Sequence, residues 1–157
     1  TYACGLKDSM DLGRQDTVLA VVPMFHANAW GLPYTCPMIG TRMVLPGPKM
    51  GDGATLTALI EGERITHAAG VPTVWQGLLN HARETGTVFG SLTHVIVGGS
   101  ACPLSIMDEF RERHGARVLH AWGMTEMSPL GTINTFPPGF DAWPPERQAA
   151  HRVKQGR

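Results

Sequence analysis

Short runs of apolar and β-branched residues alternate along this chain with segments that carry the periodicity of amphipathic helices. The runs that predict strands lie at residues 17–22, 41–45, 66–69, 92–97 and 117–121. The segments that predict helices lie at residues 27–39, 52–63, 72–85 and 103–114. Runs that are apolar throughout, such as 18–22, are typical of parallel strands buried on both faces. The alternation therefore predicts βαβ units and an α/β fold, with a mainly parallel sheet and helices on both faces.

Local signals mark where several helices begin and end. Asp52 is a suitable N-cap, and Pro72 occupies the first turn of its helix, where no backbone donor is lost. Gly86 and Gly115 follow predicted helix ends. Near the end of the chain, the patterns predict a sixth strand at 130–135, a proline-rich loop at 137–145 and an exposed helix at 146–154.

Charge and cysteine content exclude several classes of protein. The 157 residues include 13 basic and 13 acidic side chains, so the basic excess of a nucleic-acid binder is missing. We find no apolar run of roughly 18 residues and no signal peptide, which predicts a cytoplasmic location without a transmembrane segment. Cys4, Cys36 and Cys102 are too widely spaced for a disulfide framework or a CxxC zinc site. This spacing favours buried free thiols in a reducing compartment.

Three segments with unusual chemistry directly follow predicted strands. They are Pro23-Met24-Phe25-His26, Gly98-Gly99-Ser100-Ala101 and Trp122-Gly123-Met124-Thr125-Glu126. Ligands of parallel α/β sheets bind beyond the carboxyl ends of the strands, so we expect these segments to converge on one site.

The last of these segments combines the groups that a nucleotide site needs. Trp122 offers an aromatic face for a base, and Thr125 and backbone N–H groups offer donors for phosphate oxygens. Glu126 offers a carboxylate for Mg²⁺, which binds through one or two carboxylates together with phosphate and water. The alternative is a plain turn after a strand, with Trp122 in the core.

The other two segments also allow two interpretations each. The paired glycines of 98–103 let backbone approach a ligand, or simply form a tight turn between a strand and a helix. His26 follows a buried strand and lies one helical turn from Trp30, yet a histidine in such a place is often structural. The charges of 108–113 and 143–154 predict solvated surfaces.

Four ordered motifs, at residues 22–34, 69–75, 97–103 and 121–129, resemble those of the adenylate-forming superfamily of AMP-binding enzymes. The resemblance is strongest to the long- and medium-chain fatty-acyl-CoA synthetases. It implies that an acid is joined to ATP to give an acyl-adenylate and pyrophosphate, and that the thiol of CoA then displaces AMP. The implied ligands are a fatty acid, ATP or AMP, Mg²⁺ and CoA.

The resemblance also implies roles for individual residues. Catalytic roles fall to His26, Thr125 and Glu126, with Glu126 as the Mg²⁺ ligand. The nucleotide site would comprise Gly99, Ser100, Ala101, His120, Ala121, Trp122, Gly123, Met124 and Thr125. The acyl gate and pocket would comprise His26, Trp30, Val71 and Gly98.

Other parts of the family pattern are missing from residues 1–157. These are the serine-, threonine- and glycine-rich phosphate loop, the aspartate that holds the ribose, and the small C-terminal domain with its catalytic lysine. We therefore expect the chain to be an internal section of the large N-terminal domain, and to be inactive by itself. We also expect a full-length protein that forms a homodimer and associates peripherally with a membrane.

Two other functions are compatible with the same residues. One is an adenylating enzyme for aryl or amino acids, although the Asn28-Ala29-Trp30 stretch favours the fatty-acyl branch. The other is a nucleotide-binding module without catalysis.

Overall fold

The computed structural model describes residues 9–156, so Cys4 and the first eight positions lie outside the described part. Its centre is a six-stranded sheet in the order β2-β1-β3-β4-β5-β6. The strands are β1 (Thr17–Val21), β2 (Arg42–Val44), β3 (His67–Gly70), β4 (His94–Val97), β5 (Arg117–Gly123) and β6 (Leu130–Ile133). The first five are parallel, and only β6 is antiparallel to its neighbour within the described residues. The predicted α/β fold is confirmed, and each predicted strand is present.

Helices cover both faces of this sheet. They are α1 (Ala27–Trp30), α2 (Leu32–Ile39), α3 (Gly53–Gly62), α4 (Pro72–Thr85), α5 (Leu104–His114) and α6 (Pro145–Arg152). One face buries α3, α4 and α5 in a cluster that includes Trp75, Phe110 and Val97. The opposite face packs α2 against strand residues such as Ala20 and Ile96. No helix in the described part is long and apolar enough to cross a bilayer.

The predicted helix boundaries agree with the observed caps. The Asp52 carboxylate accepts a hydrogen bond from the Thr55 backbone N–H at 2.8 Å, which satisfies a free donor at the start of α3. Pro72 lies in the first turn of α4, and Gly86 ends that helix with φ of 74°. Glycine adopts this left-handed conformation at little energetic cost, so the local sequence determines where the helix ends.

The charged surfaces predicted at 108–113 and 143–154 are only partly solvated. Arg152, the last residue of α6, is buried, and its Nη1 donates to the Asp108 carboxylate of α5 at 2.7 Å. Glu109 pairs with Arg83 of α4 at 2.8 Å. The prediction of an entirely exposed helix was therefore wrong at Arg152, because this arginine joins two helices that are distant in sequence.

Two histidines lie side by side at the amino ends of β3 and β4. The His67 and His94 rings are paired in register and stack with centroids 4.8 Å apart. Burial first, and the neighbouring His94 second, lower the pKa of His67 to about 4, although Asp16 lies 3.7 Å away. Burial also lowers the pKa of His94. Both rings are therefore neutral in the folded protein at pH 7.

This pair predicts a loss of stability in mild acid. An unfolded histidine takes up a proton near pH 6.5, whereas folded His67 resists protonation until about pH 4. The free energy of unfolding should therefore be constant above about pH 7 and fall by roughly 3 kcal/mol as the pH drops to 4. Hydrogen exchange of β3 and β4 amides across this range measures the effect. His67→Gln should flatten the slope, and His81→Gln should not; an unchanged slope in His67→Gln would contradict the assignment.

Candidate functional site

The carboxyl ends of β1, β4 and β5 open into one cavity of about 250 Å³. All three segments singled out in the sequence contribute to its wall. The predicted site residues that line it are His26, Trp30, Gly98, Gly99, Ala121, Trp122, Gly123, Met124, Thr125 and Glu126. The convergence predicted from the strand ends is therefore observed.

Four predicted site residues lie outside the lining. Val71 stands behind the glycine turn, since a Cβ built at Gly99 would be 3.1 Å from its Cγ1. Ser100 and Ala101 follow Gly99 on the exposed part of the turn. His120 is buried in β5 with only 2% of its surface exposed.

His120 contacts protein atoms on two separate segments. Its Nε2 accepts from the backbone N–H of Cys102 at 3.3 Å, and its Nδ1 lies 3.1 Å from the carbonyl oxygen of Val153. These two contacts are satisfied together when Nδ1 carries the proton and donates to Val153. The ring thus joins the turn after β4 to the segment after α6. The sequence placed His120 near this site but offered no sign of either partner.

Five cavity residues were not among the predicted site residues. They are Met10, Ala27, Ile96, Pro129 and Leu130. Ile96 and Ala121 also belong to the core cluster under α2. Apolar strand residues cannot be assigned to core or site from sequence alone, because both environments select the same side chains.

The turn that carries Trp30 has a left-handed backbone. Ala27, Asn28, Ala29 and Trp30 have φ of 41°, 50°, 47° and 57°, and Gly31 follows at 80°. Residues with a Cβ pay roughly 1–2 kcal/mol each in this conformation, and such strain concentrates at functional sites. The Asn28 amide donates to the Tyr34 hydroxyl at 2.7 Å, which ties the turn to α2. The sequence predicted a buried helix or helical turn over 27–39, and the regular helix begins only at Leu32.

Close backbone approaches fix two other parts of the cavity wall. A Cβ at Gly98 would be 3.2 Å from Cη2 of Trp30, so the indole lies directly over this glycine. A Cβ at Gly123 would be 2.0 Å from the carbonyl oxygen of Pro129, so no side chain fits there. The backbone contact requires glycine at 123, whereas a side chain at 98 would require the Trp30 indole to shift by a few tenths of an ångström.

The aromatic, hydroxyl and carboxylate side chains of residues 122–126 are exposed on the open side of the site. Trp122 is 43% exposed, so the alternative that buries it in the core is wrong. Thr125 and Glu126 belong to the 3-10 helix Thr125–Met127 and are exposed. Among residues 9–156, no side chain pairs with the Glu126 carboxylate. The described residues also contain no cluster of three metal-ligating side chains, so one protein carboxylate is what this site offers a cation.

The two described cysteines are free and buried, as predicted. Burial raises the pKa of Cys36 to about 11 and that of Cys102 to about 12. Both thiols are therefore protonated at pH 7 and poor nucleophiles.

Comparison with known proteins identifies the family. The model of the AMP-binding enzyme family matches residues 1–155. The 3-methylmercaptopropionyl-CoA ligase of Ruegeria pomeroyi is 50% identical over 157 residues, which are 100% of this chain and 29% of that protein. The medium-chain-fatty-acid–CoA ligase of Ectopseudomonas oleovorans is 50% identical over 97% of this chain and 28% of that protein. The chain thus spans less than a third of the length of these relatives.

A solved structure confirms the fold. The long-chain-fatty-acid-CoA ligase FadD1 of Archaeoglobus fulgidus superposes with a TM-score of 0.76 at 24% identity, over 99% of this chain and 31% of that chain. The resemblance seen in the sequence motifs is therefore confirmed at the level of family and of fold.

Proposed function

This chain belongs to the family of AMP-binding enzymes, and from that premise we propose that the full-length protein converts a fatty acid to its CoA thioester. In the first step a carboxylate oxygen of the acid bonds to the α-phosphorus of ATP, and pyrophosphate leaves. In the second, the sulfur of CoA bonds to the acyl carbon, AMP leaves, and the thiol proton passes to solvent.

One observation carries this proposal: a single cavity combines an apolar wall with polar side chains suited to binding a nucleotide. Met10, Trp30, Ile96 and Leu130 make one part apolar, and Thr125 and Glu126 supply the polar part. A molecule with a hydrocarbon tail and an anionic head matches that division. The reaction joins two anions, so it needs positioning and charge neutralisation more than a protein nucleophile.

We assign roles to the polar residues on this basis. Trp122 stacks on the adenine, and the Thr125 hydroxyl donates to a phosphate oxygen. The turn beside the nucleotide is formed by Gly99, Ser100 and Ala101, and Val71 lies behind it. His120 does not touch the nucleotide; it supports this turn through its hydrogen bond with Cys102. His26 lies beside the carboxylate of the acid.

Glu126 is the residue that would hold Mg²⁺. A carboxylate without a protein cation nearby, next to a hydroxyl and a phosphate site, suits a metal that takes one or two carboxylates and completes its shell with phosphate and water. When bound, the metal would neutralise phosphate charge during the transfer.

Fatty-acid-dependent exchange of labelled pyrophosphate into ATP tests the first step in the full-length protein. A panel of fatty, aryl and amino acids separates the candidates, and 3-methylmercaptopropionate joins it because relatives at 50% and 48% identity carry that name. Exchange driven best by aryl or amino acids would replace the fatty-acid assignment. Nucleotide binding without any exchange would favour the non-catalytic module.

Replacing Trp30 should alter the choice of acid more than the affinity for ATP. The indole covers Gly98 at the apolar part of the cavity, so Trp30→Ala enlarges the space for the acyl chain. We expect the preferred chain length to shift and the KM for ATP to change less than about twofold. Trp143→Ala, which removes an indole near α6, is the control. A selective loss of ATP binding in Trp30→Ala would contradict the acyl-gate role.

Several wider features of the full-length protein are part of the same proposal. Residues 1–157 form a section of its large N-terminal domain, and this section alone lacks the phosphate loop and C-terminal domain that activity requires. The buried free thiols support a cytoplasmic location. The homodimer and the peripheral membrane association rest on the family resemblance.

A further inference from the structure

Gly131 of β6 lies directly beneath the Trp122 indole. A Cβ built at Gly131 would be 2.8 Å from Cε3 and from Cζ3 of Trp122, and 2.8 Å from Cε of Met127. Carbon atoms in contact normally lie about 3.5–4.0 Å apart. No residue with a side chain therefore fits at 131 while the indole keeps its place.

The backbone of β6 around Gly131 is held by contacts with β5 and with the segment after α6. Leu130 and Thr132, on either side of Gly131, pair with Gly123 and Trp122 of β5, and the register shifts between these two pairs. A Cβ at Gly156 would be 3.0 Å from the Thr132 side chain, so the segment after α6 lies against the strand as well. The residues on both sides of Gly131 are therefore held against β5, and Thr132 also contacts the segment after α6.

The side chains on the other side of the clash are free to move. Met127 is 42% exposed, and its unbranched side chain has several rotatable bonds. Trp122 is 43% exposed and faces the cavity that it lines. An added methyl group at 131 would therefore push the indole into the cavity.

We propose that Gly131 is a positioning residue whose missing side chain sets how far the Trp122 indole stands above β6, and thereby the width of the slot for the adenine base. The inference rests on the proposed function, since it assumes that Trp122 stacks on a base. An indole ring displaced into the slot makes it narrower. The affinity for the nucleotide then falls, and the binding of the acyl chain does not change.

Gly131→Ala in the full-length protein tests this inference. Stacking on an aromatic side chain contributes to the binding of a base, so we expect the KM for ATP to rise about tenfold. The KM for the fatty acid should stay within about twofold. The matched control is Gly90→Ala, because a Cβ at Gly90 meets nothing within 4 Å.

A double variant separates positioning from general damage. Phenylalanine lacks the fused edge of the indole, Cε3 and Cζ3, that a methyl group at 131 would meet, so Trp122→Phe removes this clash. Gly131→Ala should therefore raise the KM for ATP about tenfold when Trp122 is present, and less than about twofold in the Trp122→Phe background. A merely structural role would give the same loss in both backgrounds and would overturn the inference.

Fluorine NMR of the protein labelled with 5-fluorotryptophan reports the ring directly, without activity. The Trp122 resonance, assigned by its loss in Trp122→Phe, should shift in Gly131→Ala and not in Gly90→Ala. An unshifted resonance, or a shifted one with an unchanged KM for ATP, overturns the inference. If the unaltered protein shows no pyrophosphate exchange with any acid, the proposed function fails instead.

Discussion

Glu126→Gln in the full-length protein is expected to lower the rate of acyl-adenylate formation by roughly a hundredfold, the scale of losing one charge-stabilising group at a reaction centre. Glutamine keeps the size and hydrogen-bonding ability of the side chain but removes its negative charge. The exposed position of Glu126 in the cavity wall means that little packing changes. Stability should therefore stay within about 0.5 kcal/mol.

The Mg²⁺ dependence of pyrophosphate exchange identifies the cause of that loss. If Glu126 holds the metal, Glu126→Gln needs more Mg²⁺ to reach half of its maximal rate. Glu112→Gln is the control, since Glu112 is an exposed carboxylate of α5 that pairs with Arg111. If Glu126→Gln catalyses exchange at the normal rate and with the normal Mg²⁺ requirement, Glu126 is not the Mg²⁺ ligand.

Trp75→Ala should lower the free energy of unfolding by about 3–5 kcal/mol, a large share of the stability of an ordinary domain. Trp75 is fully buried in α4 and packs edge-on against Phe110, with ring centroids 6.2 Å apart. Its Nε1 also donates to the carbonyl oxygen of Gly70 at 3.1 Å. Alanine would leave a cavity under the sheet and remove the hydrogen bond to the carbonyl group of Gly70.

Native-state hydrogen exchange of β1 and β3 amides measures this loss locally, which suits a protein larger than a single domain. Trp75→Phe should cost less, because it fills most of the volume and loses only the hydrogen bond. Trp143→Ala should leave these amides unchanged, since Trp143 contacts Arg147 and the Phe140 ring outside the main clusters. Equal protection in Trp75→Ala and Trp143→Ala would show that Trp75 does not anchor this face.

Much of the architecture follows from local sequence patterns. The apolar run that forms β1 is buried at all five positions, as a central parallel strand requires. Asp52 and Gly86 determine helix ends through contacts within a few residues of themselves. The three segments that line the cavity lie together because the connections in a parallel sheet place the carboxyl ends of its strands at one edge.

Other features depend on residues that are distant in the sequence. The left-handed turn at 27–30 opposes the local preference of its residues, and its contacts with Tyr34 and Gly98 are made only in the folded protein. Periodicity did not reveal that Arg152 would be buried against Asp108, since the two residues are 44 positions apart. The same holds for His120, whose partners lie 18 and 33 positions away.

The sequence by itself determined the order of strands and helices along the chain, several helix ends and which three loops with unusual side chains follow strand ends, because each depends on the side chains of a few neighbouring residues. Only the tertiary structure decided how these loops share space. Gly131 illustrates the difference: in the sequence it is one glycine among 19, and in the fold it is the surface under the Trp122 ring. Close packing between non-neighbouring segments creates that constraint, and no local pattern records it.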